Sequence, residues 1–73
     1  MAPEIEILLN GEKRGVPAGC TVKDLIRHLE LKPDSVAVEV NRSILKRAVW
    51  KEHVVEAGNA VEIVHFVGGG NDR

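Results

Sequence analysis

The sequence predicts an α+β fold in which one helix lies across a sheet, and three observations predict it. Glutamate alternates with isoleucine through Glu4-Ile5-Glu6-Ile7, and Asn10-Gly11 follows the run at once. Val22, Leu25, Ile26 and Leu29 recur at helical spacing just after Thr21. Val36, Val38 and Val40 alternate with Ala37, Glu39 and Asn41. Helices do not separate the strands one by one, so a doubly wound parallel sheet is excluded. A chain of 73 residues has room for one such domain, assigned to residues 1–67, with a flexible tail over residues 68–73.

Each element has its own reason. Ile5, Ile7 and Leu9 share one strand face, with Glu4 and Glu6 on the other. Asn-Gly at the end of a strand is a strong hairpin signal, so a return strand is expected around Lys13 to Val16, closed by Pro17 and Gly19. Thr21 reads as a helix N-cap, with Asp24 three residues on to complement the first-turn N–H groups. The helix should run from about Val22 to Glu30, because Pro33 disfavours helix at the residue before it. Its apolar face needs a sheet larger than a hairpin.

That sheet is completed downstream. Val36 to Val40 is a half-buried strand of period two, and Ile44-Leu45 is a short edge strand. Arg47 to Val55, with Trp50 inside it, is expected to be a turn of helix followed by loop. Ala60-Val61-Glu62-Ile63-Val64-His65-Phe66 is a β-branched final strand introduced by the turn residues Gly58-Asn59. The N-terminal hairpin and this last strand are expected at the centre of the sheet, with the helix covering one face.

Composition removes several function classes. Ten Lys+Arg against eleven Asp+Glu leave a net charge of −1, which argues against a nucleic-acid partner. Aromatic residues make up 3% and tyrosine is absent, so base stacking is not expected. A single cysteine makes no internal disulfide, and no Cys/His cluster suggests a bound metal, which points to a reducing compartment. Met-Ala-Pro-Glu at the start has no signal-peptide character, and no apolar run is long enough to span a membrane. A cytoplasmic, monomeric domain without a membrane partner is the expectation.

Isolated reactive residues add little. Cys20 lacks the cationic neighbours of an activated thiol and reads as a small packed residue. His28, His53 and His65 have no metal or triad spacing. His65 stands out by position only, near the tail. Trp50 fits either an interface anchor or a lid over one end of the core.

The chemistry points to the tail. Val67-Gly68-Gly69-Gly70 continues directly from the last strand, and four residues beyond Phe66 extend by about 13 Å. No helix follows to make this a phosphate loop. Without Cβ atoms, three glycines can thread a narrow channel and present a backbone carboxyl to another protein. Fixing each residue costs roughly 1–2 kcal/mol, so such an arm favours slender reach over tight binding.

The segment Glu62-Ile63-Val64-His65-Phe66-Val67-Gly68-Gly69-Gly70 resembles the C-terminal signature of the ThiS family of sulfur carriers. Leu9-Asn10-Gly11-Glu12, Thr21-Val22-x-Asp24-Leu25, Val38-x-Val40-Asn41, Arg47-x-x-Trp50 and Gly58-Asn59 fall in that family's order, so the resemblance spans nearly the whole chain. It implies a β-grasp (ubiquitin-like) fold, with a mixed four- to five-stranded sheet and one main helix. It also implies a protein co-substrate rather than an enzyme. An E1-like adenylyltransferase, using ATP and Mg²⁺, activates the glycine carboxylate. A cysteine desulfurase relay supplies sulfur, and thiazole synthase accepts it in thiamine biosynthesis. Gly70 would be the reactive residue, with Gly68 and Gly69 as the arm and His65, Phe66 and Val67 as partner contacts. The usual member of that family ends on glycine, whereas Asn71-Asp72-Arg73 follow here and lock the Gly70 carboxyl in an amide. Trimming, as by the JAMM-type proteases of extended relatives that serve other sulfur-insertion pathways, would free it. A ubiquitin-like protein modifier and a plain binding module are the competing classes.

Overall fold

A computed structural model describes residues 3–66. Strands β1 (Glu4–Leu9) and β2 (Glu12–Pro17) form the N-terminal hairpin and are followed by helix α1 (Val22–His28). Strands β3 (Val36–Val40), β4 (Ser43–Leu45) and β5 (Ala60–His65) complete the sheet, with short 3₁₀ turns at Pro33–Ser35 and Arg47–Val49. The spatial order is β2-β1-β5-β3-β4. Among the described strands only the β1–β5 pairing is parallel, so the sheet is mixed, as expected.

Both hairpins turn through left-handed backbone. Asn10 and Gly11 have φ of 51° and 84°, and Asn41 and Arg42 have 51° and 72°. Positive φ at both central positions gives a turn whose twist matches the flanking strands. Asn tolerates that region, while Arg42 occupies it against its preference.

One part of the expected sheet is corrected. β5 is central and β1 lies beside it, but β2 is an edge strand. Its sequence explains the position, since among Glu12 to Pro17 only Val16 is buried. A strand that contributes one core side chain serves the sheet best at its margin, where charged residues also discourage edge-to-edge pairing.

Thr21 caps α1 as its sequence suggests. The Asp24 N–H donates to Thr21 Oγ1, and the Thr21 N–H donates to Asp24 Oδ2, both at 3.1 Å. The next two N–H groups go to the loop after β4: Val22 N–H donates to His53 O at 2.9 Å and Lys23 N–H to Trp50 O at 3.2 Å. Donors that a helix start leaves unpaired are thus satisfied by tertiary structure.

The far end of α1 departs from expectation. The helix stops at His28, two residues before the expected Glu30, because Glu30 turns left-handed at φ 60°. Leu31 N–H then donates to Ile26 O at 3.1 Å and Glu30 N–H to Arg27 O at 2.9 Å, the paired bonds of a Schellman C-cap. Glycine usually fills that position. A glutamate there gives no stop signal in the sequence.

Hydrogen bonds from the Thr21 backbone and side chain, aided by Arg27 and Lys23, hold the Asp24 carboxyl below its ordinary pKa. Its native value lies below the unfolded value near 3.9, so the box contributes fully above about pH 3.9. That contribution is lost as pH falls through the lowered native value. Thr21→Ala should cost about 1 kcal/mol of stability at neutral pH. Urea unfolding of the variant and the parent at pH 7 and at acid pH checks this, with the difference shrinking on acidification.

The core lies between α1 and one sheet face. Val22, Leu25 and Ile26 from the helix meet Ile7, Val16, Val38 and Val61 from the strands. Among the described residues no helix covers the opposite sheet face.

Candidate functional site

The sequence leads to the expectation that the chemistry lies in the glycines following β5, and the approach to them depends on what holds that strand. On one side β3 pairs with it along its length, from Val40↔Val61 to Val36↔His65. Phe66 N–H extends this pairing by donating to Ser35 O at 2.9 Å. On the other side, the parallel ladder with β1 stops at Leu9↔Val61.

Two turn asparagines complete the support. Ile63 N–H donates to Asn10 Oδ1 at 2.8 Å, and Asn10 Nδ2 donates to Ile63 O at 3.4 Å. The Asn10 side chain thus stands in for the missing strand residue. At the start of β5, Ala60 N–H donates to Asn41 Oδ1 at 2.9 Å. The residues that make both hairpin turns therefore also fix β5. Sequence reasoning identified Asn10 as a turn residue but missed this bond, which joins positions 53 apart.

Asn10→Gly keeps the left-handed turn and removes the bridge, leaving Ile63 N–H without its partner. A partly buried donor left unsatisfied costs about 1–3 kcal/mol. Amide hydrogen exchange should show Ile63 losing protection while Val38, in β3, keeps most of its own.

At its end, β5 presents exposed apolar surface. Val64 is 54% and Phe66 63% exposed, and Ile44 on the edge strand is 75% exposed. Val64 faces the uncovered side of the sheet beside Ala37, while the alternate residues Val61 and Ile63 are buried. His65 is exposed at the strand terminus. His65 and Phe66, named as partner contacts, are therefore accessible. Val67, Gly68, Gly69 and Gly70, and the tail assigned to residues 68–73, lie outside the described residues.

The other candidates fall into place. Cys20 is buried, its Sγ donating to Thr21 O at 3.3 Å. Burial, and secondarily the Asp24 carboxylate, push its thiol pKa up, which makes it a poor nucleophile at neutral pH. Trp50 is 3% exposed, and its indole N–H donates to Leu45 O at 3.0 Å. That geometry fits the lid over the core and not an exposed anchor. His28 is exposed and His53 half-buried, on separate elements. Among the described residues no three His, Cys, Asp or Glu side chains are grouped to hold a metal ion. No helix among them is long and apolar enough to cross a membrane.

Comparison with known proteins gives a consistent result. The profile of the ThiS family matches residues 5–70. The sulfur carrier protein ThiS of Escherichia coli is 29% identical over 66 residues, covering 90% of this chain and all of that protein. The thiazole synthase of Magnetococcus marinus is 38% identical over 66 residues, covering 90% of this chain. The chain spans only about a fifth of that enzyme's length, 20%. The crystal structure of a thiamine biosynthesis protein (ThiS) from Geobacter metallireducens superposes with a TM-score of 0.79 at 30% identity, over 90% of this chain and 100% of that one. The β-grasp architecture is common to both.

Proposed function

Because the chain belongs to the ThiS family, we propose that this sulfur carrier works through the carboxyl of Gly70, activated by adenylation and converted to a thiocarboxylate. The observation that carries this reading is where the family match stops. It ends at residue 70, the last of the three glycines that follow β5, and leaves Asn71-Asp72-Arg73 outside.

The chemistry belongs to partners. In an E1-like adenylyltransferase, with ATP and Mg²⁺, a carboxylate oxygen of Gly70 attacks the α-phosphorus and pyrophosphate leaves. The terminal sulfur of a persulfide charged by a cysteine desulfurase then attacks the carbonyl, AMP departs as the C–O bond breaks, and a second thiol cleaves the resulting acyl disulfide, leaving the thiocarboxylate and a new disulfide. Glycine suits this step, since no Cβ crowds the attacking sulfur. The protein contributes the strand that delivers the arm, not a catalytic group.

The Gly70 carboxyl is an amide while Asn71 is attached, so cleavage of the Gly70–Asn71 bond precedes activation. A zinc protease of the JAMM type is the class suited to that cut. For the acceptor we favour thiazole synthase. Proteins of that name in Magnetococcus marinus and Paramagnetospirillum magneticum match this chain at 38% and 36% identity over a fifth of their own length. A carrier domain within the acceptor's own chain supports direct transfer between the two. Another sulfur-accepting pathway is the alternative that the extension past Gly70 favours.

Pyrophosphate exchange tests the reading at its first step. The chain ending at Gly70, mixed with an E1-like adenylyltransferase, Mg²⁺, ATP and labelled pyrophosphate, should return label to ATP. A thiocarboxylate on the isolated carrier marks sulfur transfer. Higher-mass conjugates to protein lysines, with no thiocarboxylate, would identify a modifier instead.

A further inference from the structure

A net charge of −1 conceals a local cluster of cations. On the uncovered sheet face, Glu39 stands directly opposite Glu62. On the helix side cations gather around one groove, with Asp24 and Asp34 just outside it. A groove of about 430 Å³ runs between α1 and the turn after β4, with Ile26 and Trp50 among its apolar residues and Lys23, Arg27, Arg47 and Lys51 around it. No acidic residue lines it.

The cations form two rails. Lys23 and Arg27 lie four residues apart on α1, about 6 Å along its axis. Arg47 and Lys51 belong to the opposing segment. Among the described residues, Arg27 has Asp24 at 4.0 Å and Arg47 is paired with Asp34. Lys23 and Lys51 are exposed, and among the described residues neither forms an ion pair.

We propose that this groove docks an acidic polypeptide segment of a partner protein, with an apolar side chain over Leu31, Pro33 and Ala48 and carboxylates beside Lys23 and Lys51. Charge on both sides of an apolar floor suits a chain with acidic residues flanking an apolar anchor. A simple phosphate would meet one rail and leave the floor uncovered. Trp50 is only 3% exposed and offers no ring face for stacking a nucleic-acid base. The volume falls within the range of ligand sites and admits one or two side chains. Pro33, Arg47 and Trp50 also border the neighbouring depression that reaches Phe66. A partner seated here lies next to the end of β5 and leaves the uncovered sheet face free.

The test is an ¹⁵N-HSQC titration of the full chain with a capped Glu-Asp-Leu-Phe-Asp-Glu peptide. Parallel titrations use its Lys-for-acid counterpart and phenyl phosphate. Shifts should concentrate on the amides of Lys23, Ile26 and Leu31 and on the Trp50 indole, and should weaken as salt is raised. Lys23→Glu with Lys51→Glu should weaken binding by about tenfold or more, with circular dichroism and thermal midpoint little changed. If that double variant unfolds, Lys23→Gln with Lys51→Gln should give the same direction of change. Absence of shifts at millimolar peptide would overturn the proposal, as would undiminished binding by the folded variant. Equal shifts from phenyl phosphate would make the groove a small-anion site and overturn it too. Concentration-dependent sedimentation that the peptide reverses would show a second copy to be the occupant, again against the proposal.

Discussion

Leu25→Ala should lower the unfolding free energy by about 2–5 kcal/mol. Leu25 is completely buried, on the α1 face that meets the sheet. Removing three heavy atoms there loses transfer free energy and leaves a cavity that neighbours on rigid strands cannot close. At roughly 0.05–0.15 kcal/mol per residue, a domain this small has little stability to lose, so the variant should unfold at markedly lower urea. Leu25→Met, which conserves volume, should cost less than about 1.5 kcal/mol. The pair separates packing from local helix propensity, because both replacements are good helix formers. A neutral Leu25→Ala would mean that α1 does not anchor the core.

The same helix shows what the sequence discloses and what it hides. Its apolar face and N-cap are legible because both are local patterns, fixed by helical spacing and by a hydroxyl three residues before a carboxylate. Its C-terminus is not, because Glu30 adopts a conformation that sequence reading reserves for glycine. Strands β3 and β5 are legible from period-two burial, since each has one wet and one dry face. The place of β2 is harder to read. A turn signal announces a return strand, but only its single buried residue, Val16, marks it as an edge.

Long-range polar contacts are the least visible. No local pattern in Asn10 points to Ile63, and none in the loop around Trp50 and His53 announces acceptors for the start of α1. The groove cations are readable in part. Lys23 and Arg27 lie four apart, as do Arg47 and Lys51, but a net charge near zero averages them away against the eleven acidic residues of the chain. The glycine run is the opposite case, since Gly68-Gly69-Gly70, to which the proposed chemistry is assigned, stands out directly in the sequence.

Loss of one glycine from that arm should have the largest functional effect. A chain ending at Gly69 presents its carboxyl about 3.3 Å short, one extended residue. Carboxylate and α-phosphorus must approach within a few tenths of an ångström of their reactive geometry, so a loss of about 10²-fold or more in adenylation is expected. β5 cannot slide forward to compensate. Val36↔His65 pairing, the Phe66–Ser35 bond and the Asn10 bridge fix its register. Measured against the chain ending at Gly70, the deficit should appear in the rate of the chemical step under saturating carrier. A deficit confined to KM would assign the third glycine to binding instead.

The most direct test of Gly70 as the reactive residue is the intact mass of two chains after incubation with an E1-like adenylyltransferase, Mg²⁺, ATP and a sulfide source. One chain ends at Gly70 and the other continues through Asn71-Asp72-Arg73. The first should gain the mass of sulfur replacing oxygen, and the second should be unchanged because its Gly70 carbonyl is an amide. Equal sulfur loading of the two chains would contradict both the trimming requirement and the assignment of Gly70.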